Sequence, residues 1–402
     1  MTISLDHHAT TPTAQEVVDA MARYWRDVPF NAHSAHAGGA LSESAVETAR
    51  ATIADLVGAS AHEITFTSGA TEANNLAILG LARAAQSALP ERTRILTSAI
   101  EHKCVLEAAR HLATQGFEHE MIPVLTTGRV DVEQLAAMLD DRVLLVAVMA
   151  ANNEIGTIQP LPEIAHLCEA AGAMFHVDAA QVVGRIPFDV FEIGCDTASF
   201  SAHKMYGPKG VGALYVSAAA KLRPKPILFG GGQESGLRPG TLPVPLIVGF
   251  GKAAELAMQA HSNGPRLREL ADRFLLELGR LGIDAHVNGS LTDRLPGSLN
   301  IHIPGVDAEQ LIQRLGDSLH LSTGSACQSG ELQGSYVLRA IGLPRKLVSA
   351  SFRLCFGTEH DMSDAVKAAH CLADSVRTCE SATGCFVQWQ ELVDGDVLIG
   401  RV

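Results

Sequence analysis

Hydrophobic positions along the chain form short apolar runs that alternate with longer amphipathic stretches. The apolar, β-branched runs lie at 64–68, 94–100, 143–150, 174–180, 197–202 and 210–216. Helical periodicity follows the first three runs, at 71–85, 103–113 and 161–171. Repeated strand–helix–strand units with continuously apolar strands predict an α/β fold, in which helices cover both faces of a mostly parallel sheet.

The pattern changes after residue 230. A Gly/Pro-rich passage at 230–245 predicts an ordered loop, and an amphipathic segment near 250–282 predicts a connecting helix. A second α/β stretch, about 283–380, follows it. The chain therefore contains two structural units.

Composition narrows the class of protein. The 402 residues are 47% hydrophobic and 19% charged, as in globular proteins, and the net charge of −13 argues against a broad nucleic-acid interface. The apolar run at 143–151 is far shorter than the roughly 18 residues of a membrane span, and the N-terminus lacks a basic, apolar leader, so we expect no membrane partner and a cytoplasmic location. Eight cysteines without a CxxC pair indicate reduced thiols rather than disulfides or a zinc site.

Polar residues follow the apolar runs at the predicted strand ends. They are Glu101, His102, Asn152, Asn153, Glu154, Asp178, Gln181, His203 and Lys204. Ligands bind beyond the carboxyl ends of parallel strands, so these residues are candidates for one pocket. The alternative is that polar residues merely resume where each strand stops.

Their chemistry is complementary if they share a pocket. The turn SGATEANN at 68–75 opens directly into a helix, whose N–H groups and the Thr71 hydroxyl could hold a phosphate, although the same turn also suits a plain helix cap. Asp178 could pair with a protonated ring nitrogen and His102 could stack on the ring, while Lys204 could form a Schiff base. This combination matches pyridoxal 5'-phosphate.

Several motifs then make the resemblance specific. They are LDHHATTP, FTSGATEANN, EHKCVLE, NNEIGTIQP, HVDAAQ, SAHKMYGPKG, GGGQESGLRPGTLP, STGSACQSG, SYVLRAIGL and SFRLCFG. The chain resembles the NifS/IscS-like cysteine desulfurases of group I, in the class V pyridoxal-phosphate-dependent aminotransferase family. The resemblance implies the aspartate aminotransferase-like fold (fold type I), with a mostly parallel sheet in a large domain of residues 16–262. A small α/β domain would comprise 1–15 and 263–380, and no role is predicted for the extension 381–402.

The resemblance also implies the site residues. Lys204 would be the Schiff-base lysine, Asp178 the partner of the pyridine nitrogen, and His102 the stacking residue and acid or base. Those implied for the phosphate are Ala70, Thr71, Ser201 and His203. The resemblance also implies a homodimer with shared active sites, in which Thr241 reaches the phosphate of the neighbouring subunit. The rest are Gln181 at the ring hydroxyl, Asn153 on the substrate side, Arg353 at the substrate carboxylate and Cys327 as sulfur acceptor.

The implied reaction converts L-cysteine to L-alanine and leaves a persulfide on Cys327, which a sulfur-acceptor protein then takes. The sequence does not distinguish iron–sulfur cluster assembly from tRNA or DNA thiolation. A selenocysteine lyase or another pyridoxal-phosphate enzyme of the same fold, and a non-catalytic dimeric scaffold, are the alternatives. No metal is predicted, because no cysteine or carboxylate completes a ligand spacing with the histidine pairs His7–His8 and His33–His36.

Overall fold

The fold is built on a seven-stranded sheet. The computed structural model describes residues 2–260, 263–324 and 334–383. Its strands are β1 (Ile3–Ser4), β2 (Ile64–Thr67), β3 (Arg94–Ser98), β4 (Glu118–Ile122), β5 (Val143–Met149), β6 (Met174–Asp178), β7 (Thr197–Ser201), β8 (Gly212–Val216), β9 (His286–Val287), β10 (Ser298–His302), β11 (Leu319–His320) and β12 (Ser351–Cys355). The large sheet has the order β2-β8-β7-β6-β5-β3-β4, and only β8 runs antiparallel to its neighbours. The predicted mostly parallel α/β fold is therefore confirmed.

Helices cover both faces of this sheet. The helices up to residue 260 are α1 (Gln15–Arg26), α2 (Ala37–Leu56), α3 (Ala70–Ala88), α4 (Lys103–Ala113), α5 (Val132–Met138), α6 (Leu161–Ala171), α7 (Val190–Ile193) and α8 (Val244–Ala260). Every residue of the inner strand β5 is buried, which explains its unbroken apolar sequence VLLVAVM.

A second group of helices and strands packs around its own hydrophobic core. Its helices are α9 (Gly264–Arg280), α10 (Ala308–Leu315), α11 (Tyr336–Ala340), α12 (Arg345–Ser349) and α13 (Met362–Thr383). The antiparallel sheet β12-β10-β9 packs with α9, α10 and α13 around Phe274, Phe352 and Leu372. Strand β1 pairs with β11 and Leu5 joins this core, so the first residues of the chain pack with its second half. The domain limits themselves stay a prediction.

The predicted connecting helix near 250–282 is wrong in detail. The structure has two helices there, α8 and α9, and α8 begins at Val244, inside the passage expected to be a loop. Pro265 lies in the first turn of α9, where its missing N–H costs no helical hydrogen bond. In the interior of one continuous helix the same proline would break the hydrogen-bond pattern. The apolar pattern near 250–282 therefore belongs to two helices rather than to one.

No helix in the described parts of the chain is both long and apolar enough to cross a membrane. Helix α13 extends to Thr383, and the rest of the extension 381–402 lies outside the described residues.

Candidate active site

A cavity of about 530 Å³ lies at the carboxyl ends of the parallel strands. The predicted residues that line it are Ala70, Thr71, His102, Asn153, Asp178, Gln181, Ser201, His203, Lys204 and Arg353. Two polar residues from the same strand ends, Glu101 and Asn152, are buried and do not line it. The strand ends thus converge on one cavity, as the alternating pattern predicted.

The N-terminus of α3 forms one wall. Gly69 precedes the helix with φ of 151°, a conformation that favours glycine, and no side chain caps the helix. Strand β8 packs directly behind it, because a Cβ on Gly212 would lie 2.6 Å from the Gly69 Cα atom. Exposed N–H groups at a helix N-terminus, beside Thr71 and Ser201, favour an anion.

Lys204 follows β7 in a short 3-10 turn. Its Nζ atom donates hydrogen bonds to the carbonyl oxygens of His8 and Ala9, the latter at 2.8 Å. Desolvation, followed by repulsion from Arg185 and Arg353, lowers the pKa of Lys204 to about 7. A large fraction of this amine is therefore neutral, and nucleophilic, near neutral pH.

Asp178, at the end of β6, is held on both oxygens. Its Oδ2 atom accepts a hydrogen bond from the Asn74 side chain at 2.8 Å, and Oδ1 accepts one from the Ala180 N–H at 3.0 Å. The Asn74 oxygen in turn lies 2.7 Å from Nε2 of His176 and accepts from the Ser199 hydroxyl at 2.5 Å. This buried network aims the Asp178 carboxylate at the cavity, and sequence reasoning had given Asn74 no role.

His8, for which the sequence predicts no role, lines the cavity. Its Nδ1 lies 2.9 Å from the Gln181 side-chain oxygen, and its Nε2 lies 2.6 Å from the Ser298 hydroxyl. Burial, then repulsion from Arg185 and Arg353, lowers the pKa of His8 well below its usual value, so the ring is neutral. Gln181 is therefore held in place by His8.

Arg353 lies on β12, in the second sheet, and reaches across to the cavity. Its Nη1 donates to the Asn153 carbonyl at 2.8 Å and its Nη2 to Asp6 at 2.6 Å. The Nε atom is buried and has no hydrogen-bond partner among the described residues. An orphaned guanidinium donor in a cavity favours a carboxylate ligand.

His102 caps the N-terminus of α4. Its Nδ1 atom accepts a hydrogen bond from the Cys104 N–H at 3.3 Å and lies 3.0 Å from the Cys104 sulfur. Burial lowers the pKa of His102, and Lys204 and Lys103 lower it further, against the opposing effect of Asp178. The ring is therefore predominantly neutral at pH 7.

His203 contacts Thr10, with Nδ1 at 3.1 Å from the hydroxyl oxygen. Burial, followed by repulsion from Lys204 and Lys209, lowers the pKa of His203 to about 4. Beside a bound anion this ring would act as a neutral hydrogen-bond partner.

The remaining two predicted residues are Thr241 and Cys327. Thr241 is exposed and does not line the cavity, and Cys327 lies outside the described residues. Their roles stay predictions.

The match to known proteins covers most of the chain. The family model described as Aminotransferase class-V matches residues 3–364. The chain belongs to the class V aminotransferase family. This class V aminotransferase is 45% identical over 370 residues to a protein named cysteine desulfurase IscS from Rickettsia bellii, covering 91% of this chain and 89% of the relative.

Solved structures agree with this assignment. A structure titled "NIFS-LIKE PROTEIN" superposes with a TM-score of 0.87 at 33% identity and covers 94% of this chain and 100% of its own. DndA from Streptomyces lividans superposes with a TM-score of 0.74 at 39% identity, covering 86% of this chain and 97% of its own. The resemblance drawn from the motifs is therefore confirmed.

Class V aminotransferases of the desulfurase type depend on pyridoxal 5'-phosphate. The cavity of this class V aminotransferase fits that group by its donor set. An uncapped helix N-terminus suits the phosphate, the Asp178 carboxylate suits the ring nitrogen, and the Lys204 amine suits the aldehyde.

Proposed function

We propose that this cavity performs the cysteine desulfurase reaction, in which L-cysteine becomes L-alanine and Cys327 takes up the sulfur. The observation that carries the proposal is the meeting of a lysine of pKa about 7, a carboxylate and a helix N-terminus in one cavity. The comparisons support the activity, because relatives named cysteine desulfurase IscS match over nine-tenths of the chain.

The chain's own residues would hold the cofactor and orient the substrate. Thr71, Ser201 and His203 would surround the phosphate with the α3 N–H groups and Ala70. Asp178 would hold the ring nitrogen, Gln181 would meet the ring hydroxyl, and Lys204 would hold the aldehyde covalently. When bound, pyridoxal phosphate supplies an electron sink that weakens bonds at the substrate α-carbon.

Substrate binding would depend on Arg353. Its orphaned Nε and its fork of N–H groups suit the L-cysteine carboxylate, and Asn153 lines the same side of the cavity. Lys204 lines the same cavity, and its neutral amine would take the substrate α-proton. His102 would supply the second acid or base.

Sulfur transfer would occur at Cys327. Its thiolate attacks the substrate sulfur, so a sulfur–sulfur bond forms while the carbon–sulfur bond breaks. The electron pair of the broken bond stays on carbon, and a proton added there completes the methyl group of alanine. The persulfide on Cys327 then passes to an acceptor protein.

The partners of the reaction follow from the same chemistry. A structural neighbour with 33% identity and a TM-score of 0.77 is titled "SspA in complex with cysteine", which supports L-cysteine as the substrate here. We further propose a homodimer, in which Thr241 reaches the phosphate of the neighbouring site, and a cytoplasmic location.

The test measures sulfide and alanine from L-cysteine in the presence of a reductant. Cys327→Ala is expected to abolish sulfide release and the trapped persulfide, whereas Cys371→Ala, a half-buried thiol on α13, serves as the matched control. Sulfide release that survives Cys327→Ala would contradict the persulfide mechanism. Release of selenide from L-selenocysteine without sulfide from L-cysteine would favour a selenocysteine lyase.

A further inference from the structure

The two hydrogen-bond partners of His102 Nδ1 come from one residue, Cys104. The Cys104 N–H lies 3.3 Å from Nδ1, and a backbone amide can only donate. This contact favours the neutral form that carries its lone pair on Nδ1. In ordinary solution both ring nitrogens compete for the proton, so this contact sets a preference.

The Cys104 thiol adds a second donor. Its sulfur lies 3.0 Å from His102 Nδ1 and 3.2 Å from the Asn74 side-chain nitrogen. The orientation of the Asn74 amide is fixed, because its nitrogen also donates to the Asp178 carboxylate. Asn74 therefore donates to the sulfur, and the thiol can donate its own proton to Nδ1, with the Thr71 side chain as a further hydrogen-bond partner of the sulfur.

The thiol is available as a donor because it stays protonated. Burial, and then the nearby Asp178 carboxylate, raise the pKa of Cys104 to about 12. This thiol is therefore no rival to Cys327 as a nucleophile. It belongs to a hydrogen-bond chain from Asn74 through Cys104 to His102.

We propose that Cys104 is a positioning residue that holds His102 with its ring proton on Nε2. The Nε2 atom has no hydrogen-bond partner among the described residues, and His102 lines the cavity. His102 then meets cofactor and substrate as a hydrogen-bond donor, and in this neutral form Nε2 cannot act as a base, because it already carries its proton. This consequence for catalysis rests on the proposed function; the position of the proton does not.

The test uses holoenzyme in which histidine carries 15N at Nδ1 only, so each ring gives one signal in a solid-state NMR spectrum. The chain has 17 histidines, and a difference spectrum against His102→Gln assigns the signal of His102. We expect an unprotonated Nδ1 in the wild type near neutral pH. The loss of one hydrogen bond of about 1 kcal/mol in Cys104→Ala should shift the tautomer ratio about 5-fold toward Nδ1–H.

Cys104→Ser keeps a donor at the same place and should restore the wild-type signal. The matched control is Cys168→Ala, which removes a buried thiol on α6. Because a wild type that is mainly Nε2–H keeps more than half of that tautomer when the ratio shifts about 5-fold, kcat for alanine formation should fall by less than about 2-fold in Cys104→Ala, with KM unchanged.

A protonated Nδ1 in the wild type would overturn the proposal. So would a Cys104→Ala spectrum identical to the wild type, or a Cys168→Ala spectrum with the same shift. A chain that shows the expected tautomer but forms no persulfide on Cys327 would overturn the proposed function and leave the role of Cys104 intact.

Discussion

Burial of single residues, together with neighbouring cations, sets their protonation in the cavity. Desolvation is the largest effect at Lys204, His8 and His203, since burial penalises the charged form. Arg185 and Arg353 also repel positive charge at Lys204 and at His8, and Lys204 does the same at His203. The cavity therefore keeps the two histidines mostly neutral and a large fraction of the lysine neutral.

Lys204 should make stability depend on pH in the cofactor-free protein. Its pKa falls from 10.5 to about 7 on folding, so between these values the unfolded chain binds a proton that the folded chain lacks. Stability due to this residue therefore rises with pH across the window. Urea unfolding measures this effect: from pH 7 to pH 9, the free energy of unfolding should rise more in the wild type than in Lys204→Met.

The control for that measurement is Lys367→Met, which removes an exposed lysine on α13. It should follow the wild type at both pH values. A Lys204→Met variant that also follows the wild type would contradict the lowered pKa.

Arg353 should act on substrate binding more than on turnover. Its two terminal nitrogens are held by Asn153 and Asp6, which leaves Nε and the outer edge of the fork for the carboxylate. Lysine cannot reproduce that geometry. Arg353→Lys should raise the KM for L-cysteine by roughly 10- to 100-fold, equivalent to about 1.5–3 kcal/mol, with a smaller effect on kcat. Steady-state kinetics in which kcat falls and KM stays constant would assign Arg353 a different role.

At the scale of the elements, strand β8 packs closely against the turn before α3, where the phosphate would bind. A Cβ on Gly212 would lie 2.5 Å from the Phe200 carbonyl oxygen and 2.6 Å from the Gly69 Cα atom. Both are backbone atoms, so neither can rotate away. The anion-binding turn before α3 therefore depends on the absence of a side chain at position 212.

Gly212→Ala should displace the turn before α3 and weaken cofactor binding. Overpacking of this kind costs about 1–3 kcal/mol. Equilibrium dialysis of the cofactor and thermal unfolding together measure the change. Gly279→Ala is the matched control, because no atom lies within 4 Å of its added Cβ, and it should leave both quantities unchanged or raise stability slightly. Cofactor affinity that survives Gly212→Ala would show that the anion-binding turn tolerates the shift.

Across the whole molecule, Thr241 offers a test of shared sites. It is exposed and lies outside the cavity lining of its own chain. If it completes the site of a neighbouring subunit, Lys204→Ala and Thr241→Ala chains should complement each other in mixed dimers. One site of the hybrid then has Lys204 from one chain and Thr241 from the other.

Mixed dimers should therefore recover cofactor affinity at one site in two, compared with the Thr241→Ala homodimer. Absorbance titration with pyridoxal phosphate measures this recovery. Hybrids that bind no better than the Thr241→Ala homodimer would place the action of Thr241 within its own chain.

Local patterning was enough to predict the strand–helix alternation and the chemistry of the strand ends. Apolar runs such as 143–150 must be buried on both faces. Asp178 ends β6 and Lys204 lies just beyond β7, so their meeting at one edge of a parallel sheet follows from topology. The complementary chemistry of Asp178, His102 and Lys204 indicated the cofactor, and the family motifs then made the resemblance specific.

Other features arise from contacts between residues that are distant in the chain. His8 meets Ser298 across 290 residues and Arg353 meets Asp6 across 347, and no local pattern encodes such pairs. The lowered pKa of Lys204 and the Asn74 partner of Asp178 likewise depend on residues that are distant in the chain. Spacing along the chain shows which residue types are present, whereas desolvation and hydrogen-bond geometry depend on distances that exist only after packing.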